Sequence, residues 1–428
     1  MQAQRKRVLI LGGGAGGLEL AAELAADKSC AVTLVDAVST HLWKPRLHEF
    51  AAGTVNSTLA EISFYMLAKM RGFRFEQGRV EAIDRAAKTV RLGDMHDQDG
   101  RLLTPARNLS YDVCVVALGG VTTDFGTEGV AEHAIRLDTK TDADEFRELF
   151  IAAMIAARAG ADPARIVIIG SGATGTELAA HLRLSEQAFF EPEDERARRK
   201  LLDLTILEAA PELMPGANGE LRTGVADRLK ALDVSVETGA RVAAVTASEV
   251  RSADGKSWPA DIAVWAAGLV GHPCLKGLAD FEMDRKGRIV VDDRLRTTVD
   301  PAIYVLGDAA SHTPAGASMP LPPTAQCASQ QADYLASAIP KALAGETPGP
   351  FVFRDKGKLV SLGRAGSVGL IGFARKDDFY VAGQFATAAY HALQRQHQWA
   401  VLGPLRGTVA IVADVISPAR GPALKLHG

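Results

Sequence analysis

The chain has 428 residues, 47% of them hydrophobic and 23% charged, with a formal net charge of −3. That length allows two or three domains with large buried cores, in the composition range of a globular protein. The charge balance supplies no global basic field for nucleic acid, and no stretch reaches the roughly 18 apolar residues of a membrane-spanning helix.

Arg5-Lys6-Arg7 before an apolar run has the look of a secretory signal, but Gly12-Gly13-Gly14 interrupts the run. Residues 7–36 read instead as a βαβ unit. Gly12, Gly14 and Gly17 follow an aliphatic strand in VLILGGGAGGLELAAEL and open an Ala/Leu-rich helix. In such a fingerprint the first glycine permits the turn, the second lets backbone approach a pyrophosphate, and the third lets helix pack on strand. The phosphate meets free N–H groups at the helix N-terminus. VTLVD ends in Asp36, an acid placed to accept ribose hydroxyls.

Short strands are expected near Phe73–Phe75 and Thr89-Val90, and a buried strand over 111–120 that ends in a glycine turn. A helix around 140–159 precedes a turn at Gly160-Ala161-Asp162-Pro163. A second fingerprint follows in IVIIGSGATGTELAAHL, with Gly170, Gly172 and Gly175, and its acid is Glu208 at the end of LTILE. One such fingerprint is weak evidence, whereas two in context imply two nucleotide sites. Both acids oppose a 2′-phosphate, so NADH is favoured over NADPH. Between them, Asp194/Arg198 and Glu195/Arg199 stand four apart and read as a solvated helix face.

Strand candidates over 232–268 end in VWAAG, whose last residue is Gly268, and IYVLGD presents Asp308 at a strand end. The fold class expected is α/β: two Rossmann-like dinucleotide-binding domains, the NAD domain inserted in the FAD domain, plus a C-terminal region for membrane association or dimerisation. The boundaries expected are 1–140 and 271–345 for the FAD domain, 141–270 for the NADH domain and 346–428 for the C-terminal region. Asp308 would bond the ribityl or pyrophosphate part of FAD, and the helix after it would aim its N-terminus at the flavin pyrimidine. In the last region, 385–402 and 407–416 suit interfacial amphipathic helices with Tyr390 and Trp399 at the headgroup level, or helices packed on the protein or a second copy.

The chain resembles the bacterial type II NADH dehydrogenases, the single-subunit, non-proton-pumping NADH:quinone oxidoreductases. The matching stretches span nearly the whole length: GGGAGGLE at 12–19, HLWKPRLHE at 41–49, GSGATGTELAA at 170–180, VWAAG at 264–268, YVLGDAA at 304–310, AQCASQQ at 325–331, RDKGKLVSLGR at 354–364 and LKLH at 424–427. The resemblance implies FAD, NADH as substrate, a membrane quinone (ubiquinone or menaquinone) and peripheral attachment to the cytoplasmic face of the bacterial inner membrane. It leaves a homodimer open. It implies that Ala325, Gln326 and Gln330 lie beside flavin and quinone, with the glutamine amides donating to quinone carbonyls. It also places Glu177 between nicotinamide and flavin, and Lys44 near the flavin. Three features depart from the family pattern: Arg46, His181 and Pro323-Thr324.

Four cysteines, Cys30, Cys114, Cys274 and Cys327, lack CxxC or metal-like spacing. This disfavours a sulfide:quinone or other thiol-coupled reductase. No metal is expected. A redox-sensing flavoprotein of slow turnover is the alternative from another functional class.

Overall fold

The computed structural model describes residues 5–55, 61–189, 200–372 and 378–416. The LKLH segment and the Asp194/Arg198 and Glu195/Arg199 pairs fall outside the described residues.

Aliphatic and β-branched runs form the strands of two parallel sheets, because strands covered on both faces need apolar side chains on both. The first fold begins with β1 (Lys6–Leu11), α1 (Ala15–Leu24) and β2 (Cys30–Asp36), followed by α2 (Leu47–Ala52), β3 (Arg74–Gln77) and β4 (Val113–Val116). Its strand order is Ile303–Val305, β4, β1, β2, β3, all parallel.

The second fold contains β5 (Ala134–Arg136), α3 (Lys140–Arg158), β6 (Ala164–Ile169), α4 (Ala173–Ala188), β7 (Leu202–Glu208), β8 (Val234–Thr238) and β9 (Ile262–Trp265). Its order is β5, β9, β6, β7, β8, again parallel. Thr139 caps α3 through a reciprocal capping box with Asp142, satisfying two orphan N–H groups. The chain leaves and re-enters the first fold along two antiparallel segments, Gly120–Val121 and Val270–Gly271, which pair with each other.

After the Ile303–Val305 strand come α5 (Ala325–Leu343), an antiparallel sheet of β10 (Gly357–Ser361), β11 (Ser367–Gly372) and β12 (Asp378–Gly383), then α6 (Gln384–Leu402) and α7 (Pro404–Ile416). Residues of α2, β10 and β11 join the second fold's core: Leu47 and Phe50 share a cluster with Phe146, Phe150, Val360 and Val368. This packing carries pieces of the first fold and the C-terminal sheet up to the second nucleotide turn.

One expectation for the C-terminal helices is corrected. Trp399 is half exposed, but Tyr390 faces inward and lines a cavity. Burial, together with Glu177 and Glu49, pushes its phenol well above the ordinary value. The apolar pattern of α6 did not reveal which side a packed partner would cover.

Candidate active site

The two glycine turns are close copies of one another. Gly12 and Gly170 have φ of +106° and +109°, in the region only glycine adopts freely. A Cβ on Gly17 would lie 2.0 Å from the Gly12 carbonyl oxygen, and one on Gly175 would lie 2.1 Å from that of Gly170. In front of Gly14 and Gly172 the space is open. Thus each fingerprint glycine meets the steric demand of its position in a dinucleotide turn.

The acids repeat the likeness. Asp36 accepts the Gly13 N–H at 2.7 Å through Oδ2 and the Val38 N–H at 3.0 Å through Oδ1. Glu208, 9% exposed, accepts the Ser171 N–H at 3.0 Å and the Ser171 hydroxyl at 2.6 Å through Oε2. Its Oε1 accepts the Ala210 N–H at 2.8 Å. Each carboxyl therefore ties the end of its second strand to the residue after the first glycine. Open helix N-termini, close-approach glycines and strand-end acids fit a dinucleotide in each fold.

A cavity of about 360 Å³ lies between the two folds and the C-terminal elements. Lys44, Glu177, Ala325, Gln326 and Gln330 all line it. Asp36, Glu208, Asp308 and Gly268 stand outside its lining. Asp308 sits in the turn after the Ile303–Val305 strand, where burial raises its carboxyl while Lys44 and Arg288 oppose the rise. The Lys44 ammonium donates to the Gly120 carbonyl at 2.9 Å and to Asp138 at 3.2 Å.

Glu177 is held deep in this wall. Its Oε1 accepts the Ser361 N–H at 2.9 Å, and its Oε2 lies 3.5 Å from His48 Nδ1. Burial raises its carboxyl to about 8, against the lowering effect of the Ser361 N–H. Burial pushes His48 down to about 3, with His181 adding to the effect. The contact at neutral pH is therefore between two uncharged groups, not an ion pair. Arg46 pairs with Glu49 at 2.7 Å, and the His48 and His181 rings meet edge-on with centroids 5.0 Å apart. His181 Nδ1 lies 2.9 Å from the Thr54 hydroxyl. Two of the three departures, Arg46 and His181, thus converge on the surroundings of Glu177. The third supplies a helix cap: the Thr324 side chain accepts the Cys327 N–H at the start of α5.

The glutamine amides are engaged otherwise than expected. The Gln326 amide nitrogen donates to Asp355 and to the Gly357 carbonyl, both at 3.0 Å, while its oxygen accepts the Lys356 N–H at 3.1 Å. Gln330 donates to the Arg354 carbonyl at 2.9 Å and accepts the Arg354 N–H at 3.0 Å. Both amide hydrogens of Gln326 are spent, so the pair clamps residues 354–357 rather than offering two free donors.

Sequence reasoning missed Gln331, whose side-chain oxygen accepts the Gly307 N–H at 2.7 Å and so fixes the Asp308 turn. It also missed Glu19, His41, His48 and His397, although all but His397 lie within the stretches quoted for the resemblance. All four cysteines are free. Burial raises the Cys114 thiol, and burial with the neighbouring Asp308 raises Cys327 to about 12. Neither is poised as a thiolate.

The profile of the pyridine nucleotide-disulphide oxidoreductases matches residues 6–332. The type II NADH:quinone oxidoreductase of Haemophilus influenzae is 35% identical over 99% of this chain and 100% of its own. That of Staphylococcus aureus is 31% identical over 87% of this chain and 91% of its own. Among solved structures, NDH2 from Plasmodium falciparum in complex with NADH superposes with a TM-score of 0.80 at 17% identity, covering 97% of this chain and 99% of that one. The sulfide:quinone oxidoreductase of Aquifex aeolicus reaches 0.75 at 19% identity, covering 96% of each chain. At those identities the structural likeness speaks for the fold alone.

Proposed function

Because the chain belongs to the pyridine nucleotide-disulphide oxidoreductase family, and to the type II NADH:quinone oxidoreductases within it, we propose that it oxidises NADH and reduces a membrane quinone, without pumping protons. The observation that carries this reading is a cavity lined by Ala15 beyond the first nucleotide turn, by Ala173 and Thr174 beyond the second, and by residues of α5 and α6. The first turn would hold FAD, with Asp36 toward the ribose and Asp308 toward the ribityl or pyrophosphate part. The second holds NADH, with Glu208 on the ribose and Gly268 flanking the site. The chemistry FAD supplies when bound is acceptance of a hydride from NADH and delivery of two electrons to the quinone.

The chain's own groups orient and exclude. Ala325 and Gln326 form the first turn of α5 and line the cavity, so the positive end of that helix lies at the cavity wall and favours negative charge there. Lys44 adds a cation at the same wall. Neutral Glu177 can donate a hydrogen bond without placing a charge between two ligands. Gln326 and Gln330 fix the 354–357 segment that borders the acceptor end.

We assign 1–140 and 271–345 to the FAD domain, 141–270 to the NADH domain and 346–428 to the C-terminal region; the paired crossings at Gly120–Val121 and Val270–Gly271 support this division. No described helix is long and apolar enough to cross a membrane. Phe385, Trp399, Leu405 and Val409 are exposed on α6 and α7, which supports peripheral attachment to a lipid surface, on the cytoplasmic face of the bacterial inner membrane. A second copy covering the same face is the competing arrangement. Vesicle flotation separates the two.

The test of function is anaerobic stopped-flow of flavin reduction with NADH, NADPH and sulfide, followed by mixing with a quinone. NADH is expected to bleach the flavin and quinone to restore it. Reduction by sulfide instead, or no reoxidation by quinone, would overturn the reading.

A further inference from the structure

Three buried side chains, from three segments far apart in sequence, form a hydrogen-bonded chain at one wall of the cavity. His397 Nδ1 lies 2.6 Å from Glu19 Oε1, and His397 Nε2 lies 3.0 Å from His41 Nε2. His41 Nδ1 lies 2.9 Å from the Gly13 carbonyl oxygen. That carbonyl only accepts, so His41 carries its hydrogen on Nδ1. Burial and the neighbouring His397 push His41 down to about 3, which leaves Nε2 a bare lone pair. His397 Nε2 must therefore donate to it. One hydrogen remains between His397 Nδ1 and Glu19 Oε1, because two lone pairs would repel at that separation. The pair is an imidazolium beside a carboxylate or an imidazole beside a carboxylic acid, and the two forms differ by the shift of one proton.

Glu19 is 3% exposed, and its other oxygen, Oε2, is buried with no hydrogen-bond partner. Both Glu19 and His397 line the cavity. Trp43 stacks on the His397 ring at 5.3 Å and 9°, which fixes its plane. Glu23 on the same helix and Asp333 on α5 face Glu19, and burial raises both carboxyls. Arg71 beside Glu23 and Lys356 beside Asp333 partly offset them.

We propose that the hydrogen-bonded pair of Glu19 and His397 donates a proton to a quinone oxygen in this cavity, with His41 and Trp43 holding the pair in place. The proposal rests on the NADH:quinone reading. The overall reaction, NADH + quinone + H⁺ → NAD⁺ + quinol, takes two electrons and one proton from the hydride of NADH and needs one proton more. That proton leaves the pair as an O–H or N–H bond breaks and a quinol O–H bond forms. A carboxylate and a neutral imidazole remain with their lone pairs facing across the 2.6 Å contact, and that repulsion drives uptake of a replacement proton from bulk solvent.

The test uses the full-length, FAD-loaded enzyme and the variants Glu19→Gln and His397→Gln, reduced with NADH. Reoxidation is followed with a water-soluble ubiquinone analogue and with ferricyanide, which takes electrons without protons. We expect quinone reoxidation to slow at least tenfold in both variants and to lose its pH dependence, with ferricyanide reoxidation within about twofold of wild type. Independently of turnover, a low-field proton NMR resonance of the shared hydrogen should be present in the wild-type protein and absent from both variants. Equal slowing with both acceptors would reduce the pair to a structural tie and overturn the proposal, as would unchanged quinone rates in either folded variant. A wild-type enzyme reduced by NADH but not reoxidised by the quinone would overturn the functional reading, and with it this proposal.

Discussion

The Glu177 carboxyl accepts a 2.9 Å hydrogen bond from the backbone N–H of Ser361, a residue 184 positions later in the chain. It ties the helix of the second nucleotide turn to the first strand of the C-terminal sheet. It is made in a wall so dry that the carboxyl is raised from 4.5 to about 8. A carboxyl raised on folding binds more protons in the native state than in the unfolded one. Its contribution is complete below about 4.5 and is lost as pH rises through about 8. Glu177→Gln should therefore gain stability relative to wild type as pH increases across that window. Melting temperatures of FAD-loaded protein from pH 5 to 9 check this. Parallel profiles would contradict it.

Glu208 should set the preference for NADH. Glu208→Gln leaves one acceptor oxygen where the Ser171 and Ala210 donors now meet a full carboxylate. The gap between NADH and NADPH should narrow, chiefly in Michaelis constants, with a loss toward NADH of about 1–3 kcal/mol. An unchanged cofactor ratio would remove Glu208 from the specificity determinants.

Replacing Gln326 and Gln330 together by Ala should release the 354–357 segment. The five hydrogen bonds to that segment are lost at about 0.5–1.5 kcal/mol each. Both nucleotide turns stay intact. Quinone reoxidation should slow by roughly tenfold or more, while NADH-driven flavin reduction persists. Rapid mixing on the FAD-loaded variant separates the two. Collapse of flavin reduction with wild-type reoxidation would reverse the assignment.

Cysteine chemistry should be dispensable. Cys30, Cys274 and Cys327, replaced together by Ala or Ser, should leave NADH:quinone turnover within a few-fold. Burial raises all three thiols, so none serves as a ready nucleophile. Loss of turnover in a variant that still folds and holds FAD would favour a thiol-coupled mechanism.

The sequence by itself determined the two nucleotide turns. A fingerprint needs glycines at fixed offsets, an aliphatic strand before them and a helix after them, so Gly12, Gly14, Gly17 and Gly170, Gly172, Gly175 could be read from local steric demands. Asp36 and Glu208 followed because each closes the next strand of its own unit. Only the tertiary structure decided the cavity. Glu19 and His397 stand 378 residues apart and meet because α6 packs on α1. His48 reaches Glu177 because α2 is drawn into the second fold's core. The glutamines were legible as an i, i+4 pair, but not their engagement with the backbone of 354–357. The periodicity of 385–402 gave a helix with an apolar stripe, yet it could not say that Tyr390 and His397 face the cavity while Phe385 and Trp399 face outward. That choice depends on which surface a distant segment covers, and burial against that segment also sets the protonation of Glu177 and His41.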